Sequence, residues 1–423
     1  MQQTKESNSK DPIPTSYKYS GILHQIHSSP APSLLAMSIV KVTLVGATGD
    51  LGASMLDAFV AEGTFKVTVL QRASSKSKPA HPDKINIVTI SDGLPLDELT
   101  EKLRGQDAVV VCYRAKDASE QIKFGEAAVA AGVKRLIPAD FGSCDSNGER
   151  ERELVKLFDR KVQIRESLQR LAAENDGFSW TSLVNGHFFD WGLRADFLHF
   201  NLKTKKAEII DNGNQKSSQA TLAQIAKATV RILQRPEVTK NRMLFIQSFC
   251  VSQNEVLQSL ENATGAKWET VRYDSEDFIR EKKALADKGD LDAIEDLVFV
   301  LGAINGNWEE KPDFAMDLLG LENEDLDKVV QKVVDEDDED GDDGYDDEES
   351  DASLRRKKPR LNGQHDVREA VKVEDIQDLE RIKAYLNDAL LFINKIGIAR
   401  RAEKPPSSAD GKARSDFING CEH

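Results

Sequence analysis

Three glycines in the run Gly46-Ala47-Thr48-Gly49-Asp50-Leu51-Gly52 spell G-x-x-G-x-x-G. Between a β-branched strand and the start of a helix, such a run lets the backbone turn tightly and approach an anion. The free N–H groups of the first helical turn and the helix dipole then favour a pyrophosphate. A glycine triplet alone is a weak signal; its flanking strand, apolar helix and second strand make it a strong one. Gly46, Thr48, Gly49, Asp50, Leu51 and Gly52 are therefore the expected cradle of a dinucleotide. The residue after the second strand selects the cofactor. NAD is read by a carboxylate on its ribose 2′-OH, whereas this chain has Gln71-Arg72 followed by Ser74, Ser75 and Lys76. Arg72 can pair a 2′-phosphate through two parallel donors, with no carboxylate expected nearby to oppose it, so NADP(H) is the predicted cofactor. Asp92, just after the third strand, is placed to touch the adenine, and the S-D-G turn explains it nearly as well.

A second candidate lies on a helix predicted over 149–174. Leu154, Leu157, Phe158, Ile164, Leu168 and Leu171 all fall within roughly 80° of Lys161 around the helix axis. Lys161 thus sits in the middle of the apolar stripe. It either snorkels to the helix edge or faces a polar cavity, where partial burial would lower the proton affinity of its amine and suit it to donate a proton or hydrogen bond. Arg165 shares that side, which also suits an interface, and geometry alone leaves these readings open. A Tyr-x-x-x-Lys pair is absent, because none of Tyr17, Tyr19, Tyr113, Tyr273, Tyr345 and Tyr385 has lysine four residues later. His187 and His199 are further candidate acids, although a lone loop histidine is more often structural.

The elements that must position these residues alternate. Strands are predicted at 39–45, 66–70, 85–90, 108–112 and 133–138, with helices at 51–62, 96–103 and 122–131 between them. Alternation of this kind packs as a Rossmann-type, doubly wound parallel sheet with helices on both faces, an α/β fold. After the 149–174 helix and a strand at 178–184, the pattern becomes mixed. Helices are predicted at 221–233 and 253–264 and strands at 242–246 and 268–273. That stretch reads as a smaller α/β substrate domain, mainly 185–334, interleaved with the sheet.

Composition sets the limits. The 423 residues carry a net charge of −15, of which −9 falls after position 334, so the body is only mildly acidic and a broad basic face for nucleic acid is not expected. No apolar run reaches the roughly 18 residues of a membrane span, which predicts a soluble chain. Cys112, Cys144, Cys250 and Cys421 are scattered without C-x-x-C spacing, which fits a reducing, cytoplasmic setting and argues against a structural metal site. Residues 1–37 are rich in Ser and Pro without apolar periodicity and read as a disordered extension, with Met37 as an alternative start. From Asp335 to Asp351, 13 of 17 residues are acidic, a block predicted to stay unfolded within a 335–370 linker. The basic run at 355–360 suits nuclear import or, more simply, a solubilising cluster. Apolar residues from Val373 to Ile396 recur every three or four positions and predict an amphipathic helix over 371–399, a candidate protein-docking segment before a disordered 400–423 tail.

The glycine run, K-R-L-I-P-A-D-F-G from Lys134 to Gly142, the F-x-x-K of Phe158 and Lys161, and N-G-x-F from Asn185 to Phe188 together resemble the isoflavone reductase-like, NmrA-like branch of the atypical short-chain dehydrogenases, over about 39–334. Plant members carry S-E-F-G where this chain has Ala139-Asp140-Phe141-Gly142, and 185–191 looks fungal-type. The resemblance implies hydride transfer from NADPH supported by Lys161. It also implies that Phe141 lies beside the nicotinamide and that Asn185, His187 and Phe188 wall the pocket of a small, aromatic or conjugated substrate. Some NmrA-like proteins bind dinucleotide without turnover as regulators. The inward Lys161 favours the enzyme; the acidic block, basic run and amphipathic segment favour a protein that docks to others.

Overall fold

The computed structural model describes residues 38–114 and 117–342. In chain order the first half comprises β1 (Lys41–Val45), α1 (Asp50–Glu62), β2 (Lys66–Arg72), β3 (Asn86–Ile90), α2 (Leu96–Leu103), β4 (Ala108–Val111), α3 (Ala118–Ala131), β5 (Arg135–Ile137), α4 (Glu149–Leu154), α5 (Lys156–Glu174) and β6 (Ser179–Val184). There follow β7 (His187–Phe188), α6 (Phe189–Arg194), β8 (Phe200–Asn201), β9 (Lys206–Ile210), β10 (Lys216–Ala220), α7 (Leu222–Gln234), α8 (Pro236–Thr239), β11 (Arg242–Phe245) and β12 (Phe249–Ser252). The described chain ends with α9 (Gln253–Thr264), β13 (Glu269–Tyr273), α10 (Ser275–Ala286), α11 (Leu291–Asn305), α12 (Met316–Leu319) and α13 (Leu326–Asp342).

Seven strands form one sheet in the order β11-β6-β5-β4-β1-β2-β3, each pair parallel. Side chains on a strand point alternately to its two faces, and here both faces are apolar because both are covered. Leu44, Val69 and Val110 pack toward Met55 and Phe59 of α1 and Ile225 of α7. Their neighbours Val45, Leu70, Val109 and Val111 pack toward Leu99 of α2, Phe124 of α3 and Leu168 of α5. Strand order reverses at β1, with β4 on one side and β2 on the other. The loops after β1 and β4 diverge there and leave a crevice, the usual ligand position in such sheets.

The second half adds two smaller sheets and contributes one strand, β11, to the large one. Two three-stranded sheets, β12-β10-β7 and β13-β9-β8, surround a core that includes Phe189, Ile209, Leu260, Leu297 and Val330. Within 185–334, however, α7 and β11 belong to the large sheet's layers.

Two predicted elements differ. The helix over 149–174 is broken at Val155, whose extended backbone (φ −130°, ψ 107°) ends α4 and begins α5, so Leu154 does not share the stripe of Lys161. The acidic block is not unfolded from its start, because α13 runs on to Asp342. Its Val330, Val333 and Val334 are buried, and Glu336 pairs with Arg194 of α6, which anchors the turn where the acidic run begins. The predictions for 1–37, 355–360, 371–399 and 400–423 lie outside the described residues. Among the described residues no helix is long and apolar enough to cross a membrane, and no cluster of His, Cys, Asp and Glu is arranged to hold a metal ion.

Candidate active site

The glycine run forms the turn between β1 and α1. Gly46 has φ +86°, a left-handed conformation that favours glycine, and a β-carbon there would press within 3.2 Å of Cys112 and Tyr113 at the end of β4. At Gly52 a β-carbon would fall 1.9 Å from the Gly46 carbonyl oxygen, so the close approach of helix and turn requires glycine there too. Gly49 differs. Its β-carbon would meet only the Gly46 oxygen, at an ordinary 3.8 Å, so packing makes no demand for glycine. An open face beside a helix start that no side chain caps is what a pyrophosphate needs, and the cradle fits a dinucleotide. Thr48 and Asp50 are exposed at its rim, and Leu51 is buried beneath it.

Arg72 is the last residue of β2, and the expectation that no carboxylate stands near it is incorrect. Glu120, in the first turn of α3, forms an ion pair with its guanidinium, which also lies 5.5 Å from the centre of the Tyr113 ring. The Tyr113 hydroxyl donates to Glu120 at 3.2 Å, and burial pushes this phenol up to about 12, so it remains a donor. Asp92 accepts from the Ser74 amide at 3.0 Å, and that bond holds its carboxyl below the ordinary range. Its carboxylate therefore braces the loop after Arg72.

Lys161 is 8% exposed. Its amine neither snorkels nor stands alone. It donates to the backbone oxygen of Asp140 and lies 3.8 Å from Oδ1 of the same residue. The other carboxylate oxygen, Oδ2, receives Arg165 at 2.5 Å and the Ser182 hydroxyl, while Arg165 also reaches Ser146 and Asn147. Arg165 thus belongs to the same buried cluster and not to an interface. Burial pushes the Lys161 amine below the ordinary lysine range, and Asp140 partly opposes this. Gly142 places no side chain against the amine, whose Nζ would be 3.7 Å from a β-carbon there. A gap too small to admit water lies between Lys161 and Gln121, Pro138, Ala139, Asp140 and Ile164. Phe141 takes φ +36° and is buried in the core that holds Ala47 of the cradle turn. The loop 138–142 leaves the carboxyl end of β5, at the same end of the parallel sheet as the cradle.

Of the three predicted substrate residues, Asn185 and His187 are buried and Phe188 is half-buried. The Asn185 amide bonds to the Gly186 oxygen at 2.8 Å, and its Oδ1 has no hydrogen-bond partner. Phe188 meets Trp191 edge-on at 6.4 Å, and Trp191 meets Phe197 at 5.6 Å. Trp191 and Phe197, with Asp140 and Glu120, escaped the sequence reading. They are brought together only by tertiary structure, although W-x5-F three residues past Phe188 is a visible aromatic signal.

The model of the NmrA-like family matches residues 39–328. The chain belongs to the NmrA-like family. Among curated members, it is 34% identical over 298 residues to "Oxidoreductase aprR" of Aspergillus flavus, covering 70% of this chain and 99% of that one. It is 30% identical over 307 residues to "Oxidoreductase poxI" of Penicillium oxalicum, covering 70% and 94%. These alignments place this NmrA-like protein among the family's oxidoreductases. Its fold matches the crystal structure of isoflavone reductase (TM-score 0.57, 21% identity, 70% of this chain and 99% of that one). It also matches the leucoanthocyanidin reductase–NADPH complex from Vitis vinifera (TM-score 0.57, 19% identity, the same coverage).

The two histidines weighed as acids frame one ring in this NmrA-like protein. His187 stacks on Phe299 at 5.9 Å and His199 at 4.1 Å. His199 contacts Glu208 at 2.5 Å through Nδ1 and Asp296 at 3.2 Å through Nε2. Burial opposes its charge, but the two carboxylates prevail and hold it above the ordinary histidine range. It is a structural cation. Burial pushes His187 down to about 4. With its folded value below the unfolded 6.5, its stabilising contribution is complete above pH 6.5 and is lost as pH falls toward 4. By pH 5 the loss is about 2 kcal/mol. Urea titrations at pH 7.5 and pH 5 should show His187→Phe losing that much less stability than the parent; an equal loss in both proteins contradicts the assignment.

Proposed function

We propose that this NmrA-like oxidoreductase takes NADPH and reduces a small, aromatic or conjugated substrate by hydride transfer, with Lys161 as hydrogen-bond and proton donor to the substrate oxygen. The observation that carries the reading is the Lys161 amine, buried, held by Asp140 and with no side chain set against it at Gly142, at the same carboxyl end of the sheet as the glycine cradle. NADPH supplies the hydride when bound. Gly46, Gly49 and Gly52, with Thr48, Asp50 and Leu51, present backbone amides to its pyrophosphate, and Arg72 takes the 2′-phosphate. Asp92 fixes the loop that carries Arg72, and Phe141 closes the nicotinamide side. A protonated amine in a water-poor site stabilises negative charge developing on an oxygen far better than it would in bulk water. Phe188, with Trp191 and Phe197, offers flat apolar surface to a conjugated ring, while Asn185 and His187 support that wall from behind.

NADPH consumption against a panel of conjugated ketones, enals and phenolics tests the reading, and no turnover with any of them at saturating NADPH counts against it. Loss of a charge-assisted phosphate contact costs about 1.5 to 3 kcal/mol. Arg72→Ala should therefore weaken NADPH binding tenfold or more and leave NADH little changed. Equal loss of both by calorimetry removes Arg72 from this role.

A further inference from the structure

Arg72, Tyr113 and Glu120 come from three different elements and meet at the mouth of the crevice. Arg72 ends β2, Tyr113 follows β4 and flanks Gly46, and Glu120 opens α3. The guanidinium is bound by the Glu120 carboxylate and lies against the Tyr113 ring, while the Tyr113 hydroxyl donates to the same carboxylate at 3.2 Å. The neighbouring acid, Asp117, is occupied at the helix start, where it accepts the Glu120 amide at 3.3 Å and the Ser119 hydroxyl at 2.5 Å. Asp92 feels the charge of Arg72 but is bonded to the Ser74 amide, so Glu120, with a side-chain exposure of only 19%, is the acid paired directly with the guanidinium.

We infer that Glu120 is a specificity-determining residue that competes with the 2′-phosphate for Arg72 and so limits the preference of this protein for NADP(H) over NAD(H). The inference rests on the reading of Arg72 as the 2′-phosphate contact. A guanidinium has donors on two edges, but a phosphate seated on Arg72 lies beside the carboxylate already bound there. Either the ion pair opens or two anions share one cation at close range, in a site where water screens only in part. Tyr113 keeps a donor on Glu120 in both states, which lets the carboxylate remain when Arg72 turns to phosphate. NAD(H) has a hydroxyl at the same position, brings no second anion and leaves the pair intact. The selectivity conferred by Arg72 is therefore lower than its charge alone supplies, and the difference is specific to phosphorylated ribose.

Glu120→Gln keeps the shape and the hydrogen bonding while deleting the charge. Titration calorimetry with NADP+ and with NAD+ on parent, Glu120→Gln and Arg72→Ala proteins provides the test. The expected result is NADP+ bound about tenfold more tightly by Glu120→Gln, with NAD+ within about twofold of the parent. Adenosine 2′,5′-bisphosphate and 5′-AMP, which lack the nicotinamide half, should repeat the contrast. Unchanged or weaker NADP+ binding by Glu120→Gln, with selective loss in Arg72→Ala, overturns this inference and leaves the Arg72 reading standing. Equal loss of NADP+ and NAD+ in Arg72→Ala overturns the Arg72 reading and this inference with it.

Discussion

Lys161→Met is expected to lower turnover by roughly 100-fold or more while dinucleotide affinity stays within about twofold. Methionine retains the apolar stem against Phe158 and deletes only the charge. The Asp140 Oδ2 atom keeps Arg165 and Ser182 as partners, so the fold survives, although the Asp140 carbonyl loses its donor and Oδ1, which has no hydrogen-bond partner, loses the amine beside it. Lys161→Ala should show the same loss of rate, with some loss of packing. The amine acts as a donor in its protonated form, and burial holds it below the ordinary lysine value of 10.5. The rate should accordingly fall on the alkaline side, at a pH beneath that value, as the proton leaves. The measurements are kcat against pH for the parent and single-turnover rates for the two variants, all at saturating NADPH. Full activity in Lys161→Met removes the lysine from the chemistry and favours a protein that binds NADP(H) as a sensor.

The second large effect belongs to stability. Arg135 on β5 is fully buried within the sheet, where it donates to Ser179 Oγ at 2.9 Å, Thr181 Oγ1 at 2.9 Å, Thr239 Oγ1 at 3.0 Å and the Pro236 carbonyl at 2.6 Å. Burial pushes the guanidinium down to about 10, still high enough to stay charged at neutral pH, with Glu237 opposing the shift. Replacing a buried ion by an apolar group is sometimes neutral, provided that its partners leave with it. Here the four oxygens remain, drawn from β6 and the α8 turn. Each buried acceptor that loses its donor costs about 1 to 3 kcal/mol, and hydroxyl rotation recovers part of that. Arg135→Met should therefore lose about 3 to 5 kcal/mol in urea unfolding at pH 7. A loss below about 1 kcal/mol shows that these groups re-pair among themselves.

The alternating half of the chain was legible because period and punctuation agree there. The runs from Lys41 to Ile137 carry β-branched strands, glycine turns and apolar helices in phase, and the parallel sheet follows. The inward position of Lys161 was also legible, since it depends only on helical spacing. Its partner was not. Asp140 lies 21 positions earlier in a loop, and no periodicity points a loop carboxylate at a helix. Glu120 is 48 positions from Arg72, and only the crossing of β4 and α3 over the sheet brings them together. The break at Val155 was hidden because apolar spacing continues through it while the backbone does not. In α13 the sequence shows a repelling acidic run, but three buried valines one turn earlier and the Arg194–Glu336 pair keep the helix going.

The edge strand β11 has a consequence for how the protein is made. The large sheet is not complete when β6 ends at Val184, because its last strand comes from Arg242–Phe245 and pairs with β6 only after β7 to β10 and the three helices in between have been made. During synthesis, the edge of β6, rich in apolar residues and with its hydrogen-bonding groups unpaired, has to wait for some sixty more residues to leave the ribosome. Cutting the chain between the cradle half and the substrate half does not yield a shorter binding module; it leaves a sheet with an open edge ready to pair with another chain. Strand pairing of this kind, remote in sequence, predicts slow folding of 38–342, with chaperone dependence greatest for fragments that stop short of Phe245.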